Sequence, residues 1–160
     1  MKRAVLVSAL ILLAAAFVRC NSPITEEMPS IPGITSQKVS DEDQIAAVLT
    51  DIHQGIQSRR IFKVLAHISR SYSDPEGMDY TALQNYLNEF FKNYKEVRVT
   101  RVPPRVFVQG TRARVVETFG TRAEPFNAEK NPPLNIQGQV NIYLEKVNGE
   151  WQITEWSRVQ

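Results

Sequence analysis

Three kinds of hydrophobic spacing follow one another along this chain, and each predicts a different kind of structure. Ala4 to Val18 is an unbroken run of fifteen uncharged residues behind Met1-Lys2-Arg3. Beyond Ser40 the apolar positions recur at helical spacing: Ile45, Val48, Leu49, Ile52 and Ile56 form one stripe of an amphipathic helix. Ser40 is placed to cap it, with Asp43 three residues on, and Asp41, Glu42 and Asp43 complement the positive end of the helix dipole. A second, short helix is predicted from about Arg60 to Ile68. Pro75 and Gly77 break the pattern. A third helix follows from about Asp79 to Tyr94, with Tyr80, Leu83, Tyr86, Leu87, Phe90, Phe91 and Tyr94 along its apolar face.

After Lys95 the period changes to two. Val97 and Val99 alternate with Arg98 and Thr100 until Pro103-Pro104, and Val106 to Val108 continues as a second strand up to Gln109-Gly110. A third strand runs from Thr111 to about Arg122, with Ala113, Val115, Glu117 and Phe119 on one face. A Pro-containing loop covers Glu124 to Pro133. Strands from about Asn135 to Val147 and from Glu150 to Val159 flank Asn148-Gly149, whose residues both accept the positive φ of a type I′ hairpin turn. Helices first and strands afterwards predict an α+β domain, in which a helical layer covers one sheet face.

This order of elements resembles the nuclear transport factor 2-like superfamily over about residues 41 to 158. The resemblance is carried by the opening amphipathic helix, the short helix Ile61 to Ile68, the Tyr72-Ser73-Asp74 break, and the final Asn148-Gly149 turn with Glu150-Trp151-Gln152-Ile153-Thr154-Glu155-Trp156. It implies a cone: a curved mixed or antiparallel sheet covered on one face by three N-terminal helices around a pocket. Some members are isomerases or dehydratases, and many exported ones are binding or accessory domains, so the resemblance points to a pocket rather than to a reaction. No position here matches residue by residue the sites of ketosteroid isomerase or scytalone dehydratase.

The apolar run is short for a permanent membrane span, which takes about 20 residues. With its basic flank it reads as a signal peptide over residues 1–20, ending at Cys20, the chain's single cysteine. Two processing routes fit: cleavage after Ala16, or lipoprotein cleavage before Cys20 with lipid attached to its thiol. Phe17-Val18-Arg19 is a poor lipobox, whereas the position of Cys20 favours the lipid. Residues 21–40 carry Pro23, Pro29, Pro32 and Gly33 without periodicity and read as a tether, with the folded domain over 41–160. The expected setting is the cell envelope, with the protein membrane-anchored through Cys20 or else soluble in the periplasm or secreted.

Removing that segment changes the charge. Lys2, Arg3 and Arg19 belong to it, while all 17 acids lie beyond, so the remainder is within one charge of neutral. Such a domain has no electrostatic case for nucleic acid. Neither a metal-ligand spacing, a phosphate-binding glycine loop nor a nucleophile elbow is present, and no cofactor is implied.

The candidate chemistry is therefore a set of titratable residues that a pocket could gather. Glu117 is the most unusual, a carboxylate alternating with Val115 and Phe119 on an apolar face. A bulge in that strand would turn it to water, and exposure ranks ahead of ion pairing and of catalysis. Asp74, as a second general base, and Tyr72 or Tyr143, as hydrogen-bond donors, complete the enzyme reading; for Tyr72 and Asp74, turn chemistry with a core-edge aromatic ranks ahead of it. His67 ends the short helix, where a cation suits the dipole, and His53 sits at the edge of the first stripe as a boundary residue.

Six arginines, Arg98, Arg101, Arg105, Arg112, Arg114 and Arg122, lie between Val97 and Arg122 with one acid, Glu117. Arg112 and Arg114 share a strand face, with Arg98 expected across from them. They suit an anionic partner such as a lipid headgroup, a polysaccharide or an acidic protein, or simply a solvated outer face. A homodimer through the sheet would need an apolar patch that these arginines argue against. The leading reading is an envelope-anchored, non-catalytic domain binding a small molecule or envelope protein through its pocket or basic face. The rival is a small pocket enzyme, of isomerase or dehydratase type, with Glu117 or Asp74 as general base.

Overall fold

The computed structural model describes residues 39–159. The signal segment, Cys20 and all but the end of the tether lie outside the described residues. Three helices, α1 (Asp41–Gln57), α2 (Ile61–Leu65) and α3 (Tyr80–Asn93), precede five strands: β1 (Tyr94–Arg101), β2 (Arg105–Gln109), β3 (Arg112–Pro125), β4 (Leu134–Val147) and β5 (Glu150–Arg158). The fold is α+β, and every strand pair is antiparallel.

The helices start where the capping residues stand. The Asp43 amide donates to Ser40 Oγ at 3.1 Å, and the Ala82 amide donates to Asp79 Oδ1 at 2.7 Å. Each such cap contributes about 1 kcal/mol by satisfying an amide that the helix leaves unpaired. α2 stops short of the predicted Ile68 because the chain pairs with β5 instead. The Ile153 amide donates to the His67 carbonyl and the Ser69 amide to the Ile153 carbonyl, both at 2.8 Å. Tyr94 leaves α3 directly into β1 with extended backbone, so the strand begins earlier than the alternation of Val97 and Val99 predicts.

β3 is the backbone of the sheet. Its fourteen residues pair with β4 along one edge, while β2 and then β1 share the other, giving the order β1-β3-β4-β5 with β2 beside the first half of β3. The type I′ expectation for the last hairpin holds: Asn148 and Gly149 have φ of 53° and 89°. β4 and β5 carry a register shift at Tyr143/Leu144, whereas the β3–β4 pairing runs unbroken from Arg112 to Ala123. That continuity fixes the inward face of β3 as Ala113, Val115, Glu117 and Phe119. With Ile142 and Leu144 of β4 and Ile153 of β5, this face packs on Ile45, Leu49 and Ile52 of α1, and the aliphatic residues are at most 5% exposed. Burying each large aliphatic side chain stabilises the fold by about 1.5 to 3 kcal/mol relative to exposure. The helical layer thus closes one face of the sheet and leaves the other to solvent.

Candidate functional site

The layer is not filled throughout. A cavity of about 500 Å³ opens between the C-terminal part of α1, the middle of α3, and the sheet where β3, β4 and β5 diverge from the core. Its walls are mainly apolar, with Leu87 and Phe90 from α3, Phe119 from β3, Val140 from β4 and Trp156 from β5. Four titratable side chains that are buried face it: His53, Tyr72, Asp74 and Glu117.

Glu117 is wholly buried, opposite Val140 on the inward face. The bulge that would turn it to solvent is absent, so the expectation of exposure is corrected. Across the cavity wall, His53 sits on α1 four residues after Leu49 and three before Ile56, within the buried stripe rather than at its edge. Its Nε2 is 3.2 Å from Glu117 Oε2. Arg101 Nη1 comes within 3.9 Å of Glu117 Oε1, and Arg101 Nη2 donates to Thr50 Oγ1 of α1 at 2.8 Å. Neither carboxylate oxygen of Glu117 accepts a well-aligned hydrogen bond among the described residues, and His53 Nδ1 is likewise unsatisfied. An ionised carboxylate held away from water costs several kcal/mol unless its lone pairs are met. Arg101 offsets part of that cost, His53 adds to the offset only when protonated, and the oxygens stay open to a ligand.

Tyr72 and Asp74 form a second pair, from the connection between α2 and α3. The Tyr72 hydroxyl donates to Asp74 Oδ2 at 3.3 Å, and Asp74 Oδ1 accepts the Met78 amide at 2.8 Å. Burial, then the Asp74 carboxylate and more weakly Glu76 and Glu155, push the Tyr72 phenol well above its ordinary value, so it keeps its proton. Both the turn and the cavity readings of this pair hold, because the Asp74 turn is also cavity wall.

The other sequence candidates lie elsewhere. Tyr143 stands opposite Arg114 on the solvent face of the sheet, 37% exposed, and does not reach the cavity. His67 Nε2 is 3.3 Å from Asp51 Oδ2, and Lys63 Nζ is 3.2 Å from Asp51 Oδ1, in a half-exposed cluster outside the cavity. The hydrogen bond from Lys63, ahead of that from His67, holds the Asp51 carboxyl below its usual value against opposing desolvation. Among the arginines, Arg112 and Arg114 do share the solvent face, but Arg98 does not stand across from them. It pairs in register with Arg122, at the other end of β3. Arg112 is engaged by Glu145 at 3.2 Å, and the Arg114 guanidinium lies 5.0 Å from the centre of the Phe107 ring.

Two residues of the site have another place than the sequence reading gave them. His53, read as a boundary residue, is core, as its i+4 spacing from Leu49 signals. Arg101, read with the basic cluster, reaches Glu117, as the alternation Val97, Val99, Arg101 signals. Among the described residues no three His, Cys, Asp or Glu side chains converge as a metal site. The arrangement can hold and exchange a proton between Glu117, His53 and a bound molecule, beside a phenol that stays protonated.

No protein-family profile matches the chain, and no curated protein does. Solved structures do. A candidate scytalone dehydratase from Novosphingobium aromaticivorans superposes with a TM-score of 0.63 at 16% identity, covering 73% of this chain and 83% of that one. A candidate dehydratase of the NTF2-like family from Streptomyces avermitilis gives 0.61 at 12% identity over 75% and 96% of the two chains. An NTF2-like superfamily protein from Salmonella enterica gives 0.60 at 15% identity over 74% and 91%. The chain therefore has the nuclear transport factor 2-like fold.

Proposed function

We propose that the cavity is the working site of the protein and that it moves a proton on a small, largely apolar molecule, in an isomerase- or dehydratase-type reaction. The observation that carries this reading is Glu117, wholly buried, facing the cavity with no hydrogen bond to either oxygen, and 3.2 Å from a histidine that can receive or return its proton. In this reading Glu117 is the general base and His53 its proton partner. A water-poor wall strengthens both interactions with the substrate. Arg101, tied to Thr50, positions the carboxylate. The dehydratase names of two of the similar structures are consistent with this chemistry and are no part of its warrant.

A second reading, a binding domain without turnover, is favoured by one specific feature. The Tyr72 hydroxyl is committed to Asp74 rather than to Glu117, so it is not free to polarise a substrate at the base. Deuterium exchange separates the two. β-Tetralone, a bicyclic ketone with acidic α-hydrogens, is followed by NMR in heavy water. The enzyme reading expects faster exchange with the wild-type protein than with buffer, and loss of that increment in Glu117→Gln. Binding of the ketone without accelerated exchange supports the binding domain.

Export and lipid attachment at Cys20 belong to the same proposal. They are supported by the basic flank, the apolar run and the position of Cys20. The cavity would then work in the cell envelope on molecules that meet it there. An anionic partner for the outer sheet face is best supported at Arg114 and Arg122, since Arg112 and Arg98 already have carboxylates within 4.0 Å.

A further inference from the structure

The ionisable groups of the cavity are sorted by depth. Besides His53 and the Tyr72 phenol, the buried ones are two carboxylates, Glu117 and Asp74, whereas Glu76 and Arg158 line it as exposed residues at its rim. Arg158 is the one lining side chain with a permanent positive charge among the described residues, and an exposed arginine can keep its head in water. Arg101 touches Glu117 without lining the cavity, and Glu155 adds a further carboxylate to the field around Tyr72. Counting these neighbours, four carboxylates face two arginines. An acidic surround is not by itself a site. Here it coincides with an independent feature, the buried Glu117 oxygens and His53 Nδ1 that no protein donor or acceptor satisfies.

The remaining wall has a matching character. Tyr86 and Phe90 stack with ring centres 6.3 Å apart, and with Phe119, Tyr72 and Trp156 they line the cavity with aromatic side chains from helix, connection and sheet. Ring faces attract cations, most strongly where water is excluded. We infer that the cavity selects organic cations: an apolar, preferably aromatic body carrying a protonated amine or a quaternary ammonium. The ammonium would sit against Glu117 and Asp74 and the body against the aromatic wall. A carboxylate or phosphate ligand would instead have to shed its water against two buried carboxylates, which is unfavourable. This inference rests on the cavity being a small-molecule site, and it adds the charge of the ligand.

Isothermal titration calorimetry of the full chain tests it with three probes of one skeleton: naphthylmethylammonium, naphthalenemethanol and naphthoate. The ammonium should bind about tenfold more tightly than the alcohol at low salt, from one partly screened ion pair and a cation–π contact, with naphthoate weakest. Glu117→Gln and Asp74→Asn, tested separately, should each shrink the ratio of ammonium to alcohol affinity. Equal or tighter binding of the alcohol, or tightest binding of naphthoate, overturns the charge selection and leaves the small-molecule site standing. A preference that persists unchanged in both variants overturns the assignment to these carboxylates. Absence of binding by all three removes the small-molecule site itself, and the inference with it.

Discussion

His53 Nε2 and Glu117 Oε2 stand 3.2 Å apart although 64 positions separate them in the chain. The contact joins the fourth turn of α1 to the middle of β3, across the layer that the helices and sheet enclose. It exists because each residue occupies a position that its own element assigns to the core. The helical stripe brings in position 53, and the unbroken register of β3 against β4 brings in position 117. Both are surrounded by aliphatic residues, so the pair is held in a place where a hydrophobic pair would cost less.

The Tyr72 phenol gives a pH signature. Its folded value is raised, so the folded protein holds this proton where the unfolded chain has lost it. Stability from this group is therefore intact below its ordinary value of 10.0 and falls as the pH rises above it. Ultraviolet titration of the native protein should show one tyrosine ionising only with alkaline unfolding. Tyr72→Phe should remove that late step and cost about 1 kcal/mol at neutral pH, the net worth of one hydrogen bond. A phenolate spectrum in which all tyrosines titrate near the ordinary value would contradict the buried pair.

At Asp51 the sign is reversed. Its value is lowered by Lys63 and His67, so the contribution is present above 3.8 and is lost as the pH falls through the lowered folded value. The side chain is 47% exposed, and screening keeps the pair small. Asp51→Asn should cost less than about 1 kcal/mol at neutral pH in chemical denaturation and nothing in strong acid. A larger loss would mean that this cluster, rather than the core beneath it, fastens α2 to α1.

Fold and site were legible in the sequence to different degrees. The capping residues, the stripe of α1 and the Asn148-Gly149 turn each act locally, and their elements stand where they place them; the period change after Lys95 marks β1 but misses its start at Tyr94. The end of α2 was not legible, because its last residues are taken by pairing with Ile153, far along the chain. Glu117 was identifiable as the misplaced charge on an apolar face, but its burial depended on whether β3 bulges, and pairing with β4 decides that. His53 reads as a boundary residue while the stripe is drawn only through its apolar members, yet it stands four residues after Leu49 and is buried with them. Tyr143 looked available until the register put it on the opposite face from Glu117.

The N-terminal proposal has its own test. If Cys20 carries lipid, Cys20→Ser should move the protein from the membrane fraction to the soluble one with the circular dichroism of the folded domain unchanged. Unchanged partitioning would indicate an uncleaved apolar anchor, and a soluble wild-type protein would indicate cleavage after Ala16.

The central claim is that Glu117 is buried for use and not for stability, and equilibrium denaturation of Glu117→Gln measures it most directly. Glutamine keeps the shape and removes the charge. Because the carboxylate accepts no hydrogen bond and is only partly balanced by His53 and Arg101, the variant should be as stable as the wild type or more so, while losing proton exchange on the bound ketone. A loss of about 3 to 5 kcal/mol, the cost of breaking a buried pair whose partner is left uncompensated, would contradict the account and make Glu117 a structural member of the core.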